Sequence, residues 1–220
     1  MSRYVIIGAS RGIGLELARQ LTERGEDVTA TTRGACEALA EAGCEVVEGI
    51  DVTSDESAER LAGALADGGV DVLVCNAGLL ISDTLESLNF DDALRQYMVN
   101  ALGPVRMTRA LLPLMKEGGK IGVVTSRVGS LGDNTSGGNY GYRMSKAAAN
   151  MAAVNLAVEL RARGIAVAAL HPGYVRTEMT GGHGNISPEA AARGLILRLD
   201  ELSMETTGTF WHADGQRLPW

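Results

Sequence analysis

At 220 residues, 45% of them hydrophobic and 21% charged, the chain can bury a full hydrophobic core, and its composition excludes disorder, a fibrous repeat and a stapled miniprotein. Twenty Lys+Arg against 27 Asp+Glu leave a net charge of -7 with no basic run, so nucleic acid is not an expected partner. Three cysteines, Cys36, Cys44 and Cys75, form no CxxC or Cys/His cluster, and an odd number argues against a disulfide framework. A reducing, cytoplasmic setting is expected.

The chain opens on Tyr4-Val5-Ile6-Ile7 and breaks at Gly8, too early for a signal-peptide core or a membrane span, so no N-terminal leader is expected. Residues 4–7 read as a first strand, and Gly8-Ala9-Ser10-Arg11-Gly12-Ile13-Gly14 leads from it into an amphipathic helix over 13–24. Strands follow at 27–31 and 45–47. A helix over 55–66 opens on Ser54, a good N-cap, and leads to a strand at 71–75. The spacing then predicts a long helix over 91–116, a strand at 120–125, an alanine-rich helix over 142–163 and a strand at 165–170. A last helix over 188–201, capped by Ser187 with Pro188 at its first position, precedes a final strand at 209–211.

Short Val/Ile/Leu-rich runs alternating with amphipathic stretches predict an α/β fold: a doubly wound, mostly parallel sheet of about seven strands with helices on both faces, the Rossmann arrangement. No linker or repeat divides the chain, so a single domain over 1–220 is expected.

A glycine-rich turn between a strand and a helix lets the backbone approach a phosphate closely, while the helix N-terminus offers free N–H groups and partial positive charge. Gly8, Gly12 and Gly14 are spaced GxxxGxG, not the GxGxxG of many dinucleotide-binding proteins. With this spacing the segment resembles the cofactor loop of the short-chain dehydrogenase/reductase family, in its compact, single-domain branch.

The most informative chemical signal is Tyr142-Arg143-Met144-Ser145-Lys146 at the start of the predicted helix over 142–163. Residues four apart share a helical face, and an ammonium beside a phenol of ordinary pKa near ~10 is expected to stabilise the phenolate and lower that value. Ser126 falls at the carboxyl end of the strand over 120–125, where open α/β sheets bind ligands. Asn100 interrupts the long predicted helix with a residue of mediocre helix propensity.

The resemblance extends over nearly the whole chain in order. It implies catalytic roles for Asn100, Ser126, Tyr142 and Lys146: Tyr142 as acid/base, Ser126 on the substrate oxygen, and Lys146 lowering the phenol pKa and holding the cofactor ribose. Asn100 would kink its helix and hold a water in a proton relay. Cofactor contacts are implied for Gly8, Ser10, Arg11, Gly12, Ile13 and Gly14, and for Asp51 and Val52 at adenine. They extend to Asn76, Ala77 and Gly78, in a motif where Cys75 replaces a first asparagine, to Tyr142 and Lys146, and to Pro172, Gly173, Val175 and Thr177 around the nicotinamide. Thr31-Thr32-Arg33 offers no acid to a ribose hydroxyl, and Arg33 with Arg11 suits a ribose phosphate, so NADP(H) is expected over NAD(H).

The implied activity is oxidoreduction: hydride transfer between NADP(H) and a small carbonyl or alcohol substrate. The rival reading is an NADP(H)-binding sensor or signalling protein of the same fold, against which the complete set of four side chains argues. No GxSxG elbow supports a hydrolase. His171, His183 and His212 lie too far apart, without carboxylate companions, to hold a metal, so none is expected. The glycine-rich segment over 178–187 reads as a short lid, with Met179, Tyr174 and His183 as candidate walls. No membrane association is expected, and the two apolar helices imply, by the resemblance, a homodimer or homotetramer.

Overall fold

The computed structural model describes all 220 residues. Seven strands, β1 (Arg3–Ile7), β2 (Asp27–Thr31), β3 (Glu45–Val47), β4 (Val70–Cys75), β5 (Met115–Val124), β6 (Ala166–His171) and β7 (Thr209–His212), form one sheet in the order β3-β2-β1-β4-β5-β6-β7. Every neighbouring pair is parallel. Between them run α1 (Gly12–Glu23), α2 (Glu37–Glu41), α3 (Asp55–Ala64), α4 (Phe90–Tyr97), α5 (Gly103–Leu111), α6 (Tyr140–Glu159) and α7 (Pro188–Glu201). No helix is long and apolar enough to cross a membrane.

Alternate residues of each strand feed opposite cores. Val5 and Ile7 join a cluster with Leu61, Met107 and Ala153, from α3, α5 and α6, whereas Tyr4 and Ile6 join one with Leu17, Leu21 and Leu195, from α1 and α7. The clusters hold 24 and 21 buried residues, so both sheet faces are covered almost equally, which is why the strands are apolar throughout. Each fully buried aliphatic side chain contributes about 1.5–3 kcal/mol.

The chain leaves β1 towards β2 and β3, then crosses back to lay β4 on the other side of β1. The loops after β1 and β4 diverge there and open a crevice at the carboxyl ends of the strands, the site at which such sheets take ligands.

Two predicted elements need correction. The single helix expected over 91–116 is α4, a π-helical turn (Met98–Leu102), α5 and a 3₁₀ turn (Leu112–Leu114), after which β5 already begins at Met115. Gly103 N–H donates to Met98 O, five residues back, and Pro104 has no N–H with which to continue an ordinary ladder, so the helix widens here. β5 pairs at Met115 with Val70, loops out, and resumes at Lys120 opposite Val72. The single-turn α2 was not anticipated; α6 starts at Tyr140, two residues ahead of its predicted start.

Candidate active site

The glycine loop is held by three hydrogen bonds with the ends of the two strands flanking β1. Gly8 N–H donates to Thr31 Oγ1 (3.1 Å), Ala9 N–H to Thr31 O (2.9 Å), and Asn76 Nδ2 to Gly8 O (2.6 Å). Gly8 has φ +82°, and a Cβ there would lie 2.7 Å from the Ala77 backbone; at Gly14 it would lie 2.6 Å from Asn76 Nδ2. Asn76 thus braces the loop with the side chain assigned to the cofactor, while Ala77 and Gly78 supply the narrow backbone beside it.

The start of α1 is uncapped. Arg11 stands at the N-cap without a capping bond and no acidic residue occupies the first turn, whereas Ser54, Asn89 and Ser187 cap α3, α4 and α7. The first N–H groups of α1, including those of Ile13 and Gly14, therefore lack a side-chain acceptor, the condition an anion requires.

Arg33 is exposed and makes no ion pair, while its charge, with that of Arg106, helps hold the Asp51 carboxyl below its usual range. The largest cause there is hydrogen bonding from Thr53, which takes up Asp51 Oδ1. Val52 lines a small apolar pocket with Ile7, Ala77 and Val99. Arg11 is ion-paired instead with Glu178, next to Thr177, whose methyl lies 3.3 Å from where a Gly12 Cβ would be. The loop after β6 is thereby tied to the glycine loop. Within it Pro172 is buried, Gly173 adopts φ +92°, and Val175 bridges Ile186. Met179 Cε would lie 3.6 Å from a Gly78 Cβ, which puts this wall residue at the site, while Tyr174 and His183 face solvent.

Tyr142 and Lys146 occupy the first two turns of α6, with Lys146 Nζ 5.8 Å from the centre of the Tyr142 ring. Lys146 is 4% exposed, and Nζ donates to Val124 O (3.0 Å) with no carboxylate beside it. The turn carrying Ser126 is packed against the same helix: Thr125 Oγ1 donates to Lys146 O, and a Cβ on Gly129 would lie 2.6 Å from the Lys146 backbone. Asn100, 1% exposed, lies in the π-helical turn. Its Nδ2 donates to Leu79 O (2.8 Å) and Ser145 Oγ (2.9 Å), and its Oδ1 accepts from Leu79 N–H (2.8 Å). Ser145 stands inside the Tyr142–Lys146 motif, but nothing in the motif itself marks it as a partner of Asn100. A Cβ on Gly78 would approach both Asn100 Oδ1 (3.5 Å) and Lys146 Nζ (3.8 Å), so these groups converge on one point of the crevice.

In the chain by itself, burial opposes the expected lowering of the phenol pKa. Burial pushes the Tyr142 phenol up to about 12, opposed by the Ser126 side chain, and pushes the Lys146 ammonium down to about 8. Loss of water sets the direction of both shifts. A neutral phenol and a labile ammonium at the end of a sheet can hand protons to an oxygen in the crevice.

The sequence profile of the short chain dehydrogenases matches residues 3–185. The chain is 49% identical, over the full length of both, to a 1-hydroxy-2-glutathionyl-2-methyl-3-butene dehydrogenase of a Rhodococcus strain. It is 42% identical to the C-signal protein of Myxococcus xanthus over 70% of this chain and 94% of that one. Among solved structures, an NADPH-bound carbonyl reductase from chicken fatty liver superposes with a TM-score of 0.92 at 28% identity, covering 100% of this chain and 99% of the other. With a profile spanning most of its length, a full-length relative at that identity and the same seven-stranded sheet, this chain belongs to the short-chain dehydrogenase/reductase family of oxidoreductases.

Proposed function

We propose that the chain, working as one unit over residues 1–220, interconverts an alcohol and a carbonyl with NADP(H), Tyr142 being the acid/base. The observation that carries this is the convergence of Tyr142, Lys146, Ser126 and Asn100 on the crevice between β1 and β4. The uncapped start of α1 and the close backbone beside Gly8 suit a dinucleotide pyrophosphate. Arg33 is the free cation for a ribose phosphate, Val52 a wall for adenine, and Val175 and Thr177 flank the nicotinamide end. When bound, the nicotinamide supplies or accepts the hydride.

In reduction, Tyr142 Oη gives its proton to the substrate oxygen while Ser126 Oγ donates a hydrogen bond to that oxygen. Lys146 Nζ returns a proton to Tyr142, and Asn100 keeps the surrounding backbone in place for that relay. A phenol raised to about 12 enters this step protonated. In oxidation the same oxygen must first lose its proton, which positive charge brought beside it favours.

Substrate class follows from the Rhodococcus relative, whose name gives it an alcohol beside a glutathionyl group. Arg127, next to Ser126 and half exposed, is paired with Asp133 through Nε (2.5 Å), so a carboxylate on such a substituent would have to share or displace that partner. The signalling alternative gains only the partial-length resemblance to the C-signal protein. Phe90, Leu94, Met144 and Met151 leave an exposed apolar face on α4 and α6, which supports a homodimer formed there. No membrane-spanning helix and three free cysteines suit a cytoplasmic enzyme.

The test is NADPH consumption against aldehydes, ketones and glutathionyl aldehydes, with NADP⁺ and the alcohols in reverse. Tyr142→Phe is expected to lower kcat by at least about 100-fold with NADPH affinity unchanged. Unaltered turnover would overturn the role of the phenol. Arg33→Gln is expected to lower the preference for NADP(H) over NAD(H) by about 10- to 100-fold, the worth of a charge-assisted contact; an unchanged ratio would return the choice to Arg11.

A further inference from the structure

The segment Gly78–Asp83, between β4 and α4, is anchored at alternate residues. Leu79 is bonded through both its N–H and C=O to the Asn100 side chain, and Ile81 N–H donates to Gln96 Oε1 (2.9 Å). Asp83 then receives the start of α6: its Oδ1 accepts from Tyr140 N–H, its Oδ2 from Gly141 N–H (3.1 Å) and its backbone carbonyl from Asn139 N–H (2.8 Å). The far end of the segment, Gly78, lies beside Lys146 Nζ. The strap therefore runs along the first two turns of α6 and brackets Tyr142 between its fixed ends.

The other side-chain caps are local. Ser54, Asn89 and Ser187 each bond to N–H groups two or three residues ahead, which stabilises a helix wherever it lies. α6 is different, because Asn139, a suitable capping residue, sits at φ +48° and makes no capping bond, and the cap comes from a carboxylate 57 residues upstream. A remote cap does what a local one cannot: it fixes the helix start relative to the strand end that forms the crevice. Gly141 lets α4 pack closely against this turn, since a Cβ there would lie 2.5 Å from Gln96 Nε2 and 3.0 Å from Ala93 Cα.

We propose that Asp83 is a positioning residue for the oxidoreductase reaction, setting the height of Tyr142 over the crevice by capping α6 from the β4 loop. This rests on the function proposed above, and its test separates the two. Protein carrying [¹³Cζ]tyrosine, with the Tyr142 line assigned by Tyr142→Phe, reports the phenol without turnover. Asp83→Ala is expected to move or broaden the Tyr142 line and leave that of Tyr4 in place. It should lower kcat about 10- to 100-fold, as small misplacements do, with KM for NADPH within about twofold of the parent. Asp83→Asn keeps one acceptor oxygen but sets its amide N–H group against the second N–H of α6, so it is expected to recover part of both readings, with kcat between those of the parent and of Asp83→Ala. An unmoved Tyr142 line in Asp83→Ala overturns the proposal, as does a kcat loss matched by weaker NADPH binding, or an Asn variant as impaired as the Ala one. If the parent enzyme turns over nothing, the functional reading fails and the Tyr142 line alone decides the role of Asp83.

Discussion

The two ends of the sheet differ in the polar groups they bury. At the amino ends of the strands, Arg3 lies 3.6 Å from both Asp27 and Glu45, Lys116 Nζ is 2.8 Å from Asp71, and Arg24 is shared between Glu26 and Asp200. At the carboxyl ends, Lys146 is buried against a backbone carbonyl, and His171 Nδ1 is buried with no partner. Burial pushes the His171 imidazole down to about 3, helped by His212, Arg127 and Lys146. Pairs partly open to water at the amino end add little stability, whereas an unpaired buried cation subtracts from it. The fold carries the more costly arrangement at the end where its loops diverge.

Lys146→Met breaks that contrast most severely. Losing the ammonium is expected to lower kcat by about 100- to 1000-fold, the scale of removing one preorganised electrostatic group. The same change should stabilise the fold. The Lys146 pKa falls from 10.5 in the unfolded chain to about 8 in the folded one, a penalty of about 3 kcal/mol. That penalty is full below pH 8 and fades as pH rises to about 10.5, because between these values the folded chain has released the proton and the unfolded chain still holds it. Urea denaturation should therefore find the variant more stable than the parent at pH 7 and nearly equal to it at pH 10.5. A gap independent of pH would mean that the ammonium is not the destabilising group.

Asn100→Ala tests the polar contacts of the same end. It removes three hydrogen bonds and leaves both polar groups of Leu79 without their buried partner. The expected cost is about 2–3 kcal/mol, seen as a lower urea midpoint, together with reduced kcat. Full stability in this variant would show that Leu79 finds other partners.

Legibility from sequence follows the same division. Strands such as Tyr4–Ile7 were readable because burial on both faces removes polar residues, and the glycine loop because phosphate-binding geometry demands small residues at fixed spacing. Tyr142, Lys146 and Ser126 were readable as a motif, yet the direction of the phenol pKa was not: it depends on how densely the protein surrounds the oxygen. The break at Asn100 was legible, but its π-helical form was not, because its cause is split between Pro104 nearby and Leu79, 21 residues from Asn100. Asp83 escaped because nothing local marks it; only the fold brings it to Tyr140.

The smallest effect belongs to Lys116→Ala, at the amino end. The Asp71–Lys116 pair joins side chains that are 28% and 50% exposed, so most of its attraction is screened by water. Burial works to raise the Asp71 carboxyl, but a hydrogen bond from Arg3 N–H and the Lys116 charge outweigh it and hold the pKa below the usual value. A carboxyl lowered in this way lends stability above its unfolded pKa and loses it as pH falls through the folded one. Removing Lys116 leaves the 2.7 Å bond from Arg3 in place, so the variant should lose less than about 1 kcal/mol at pH 7, with kcat and KM unchanged. The loss should shrink further in high salt and at pH below 4. A cost of several kcal/mol, or any change in kcat, would mean that the two ends of the sheet are coupled through β4 and not energetically separate.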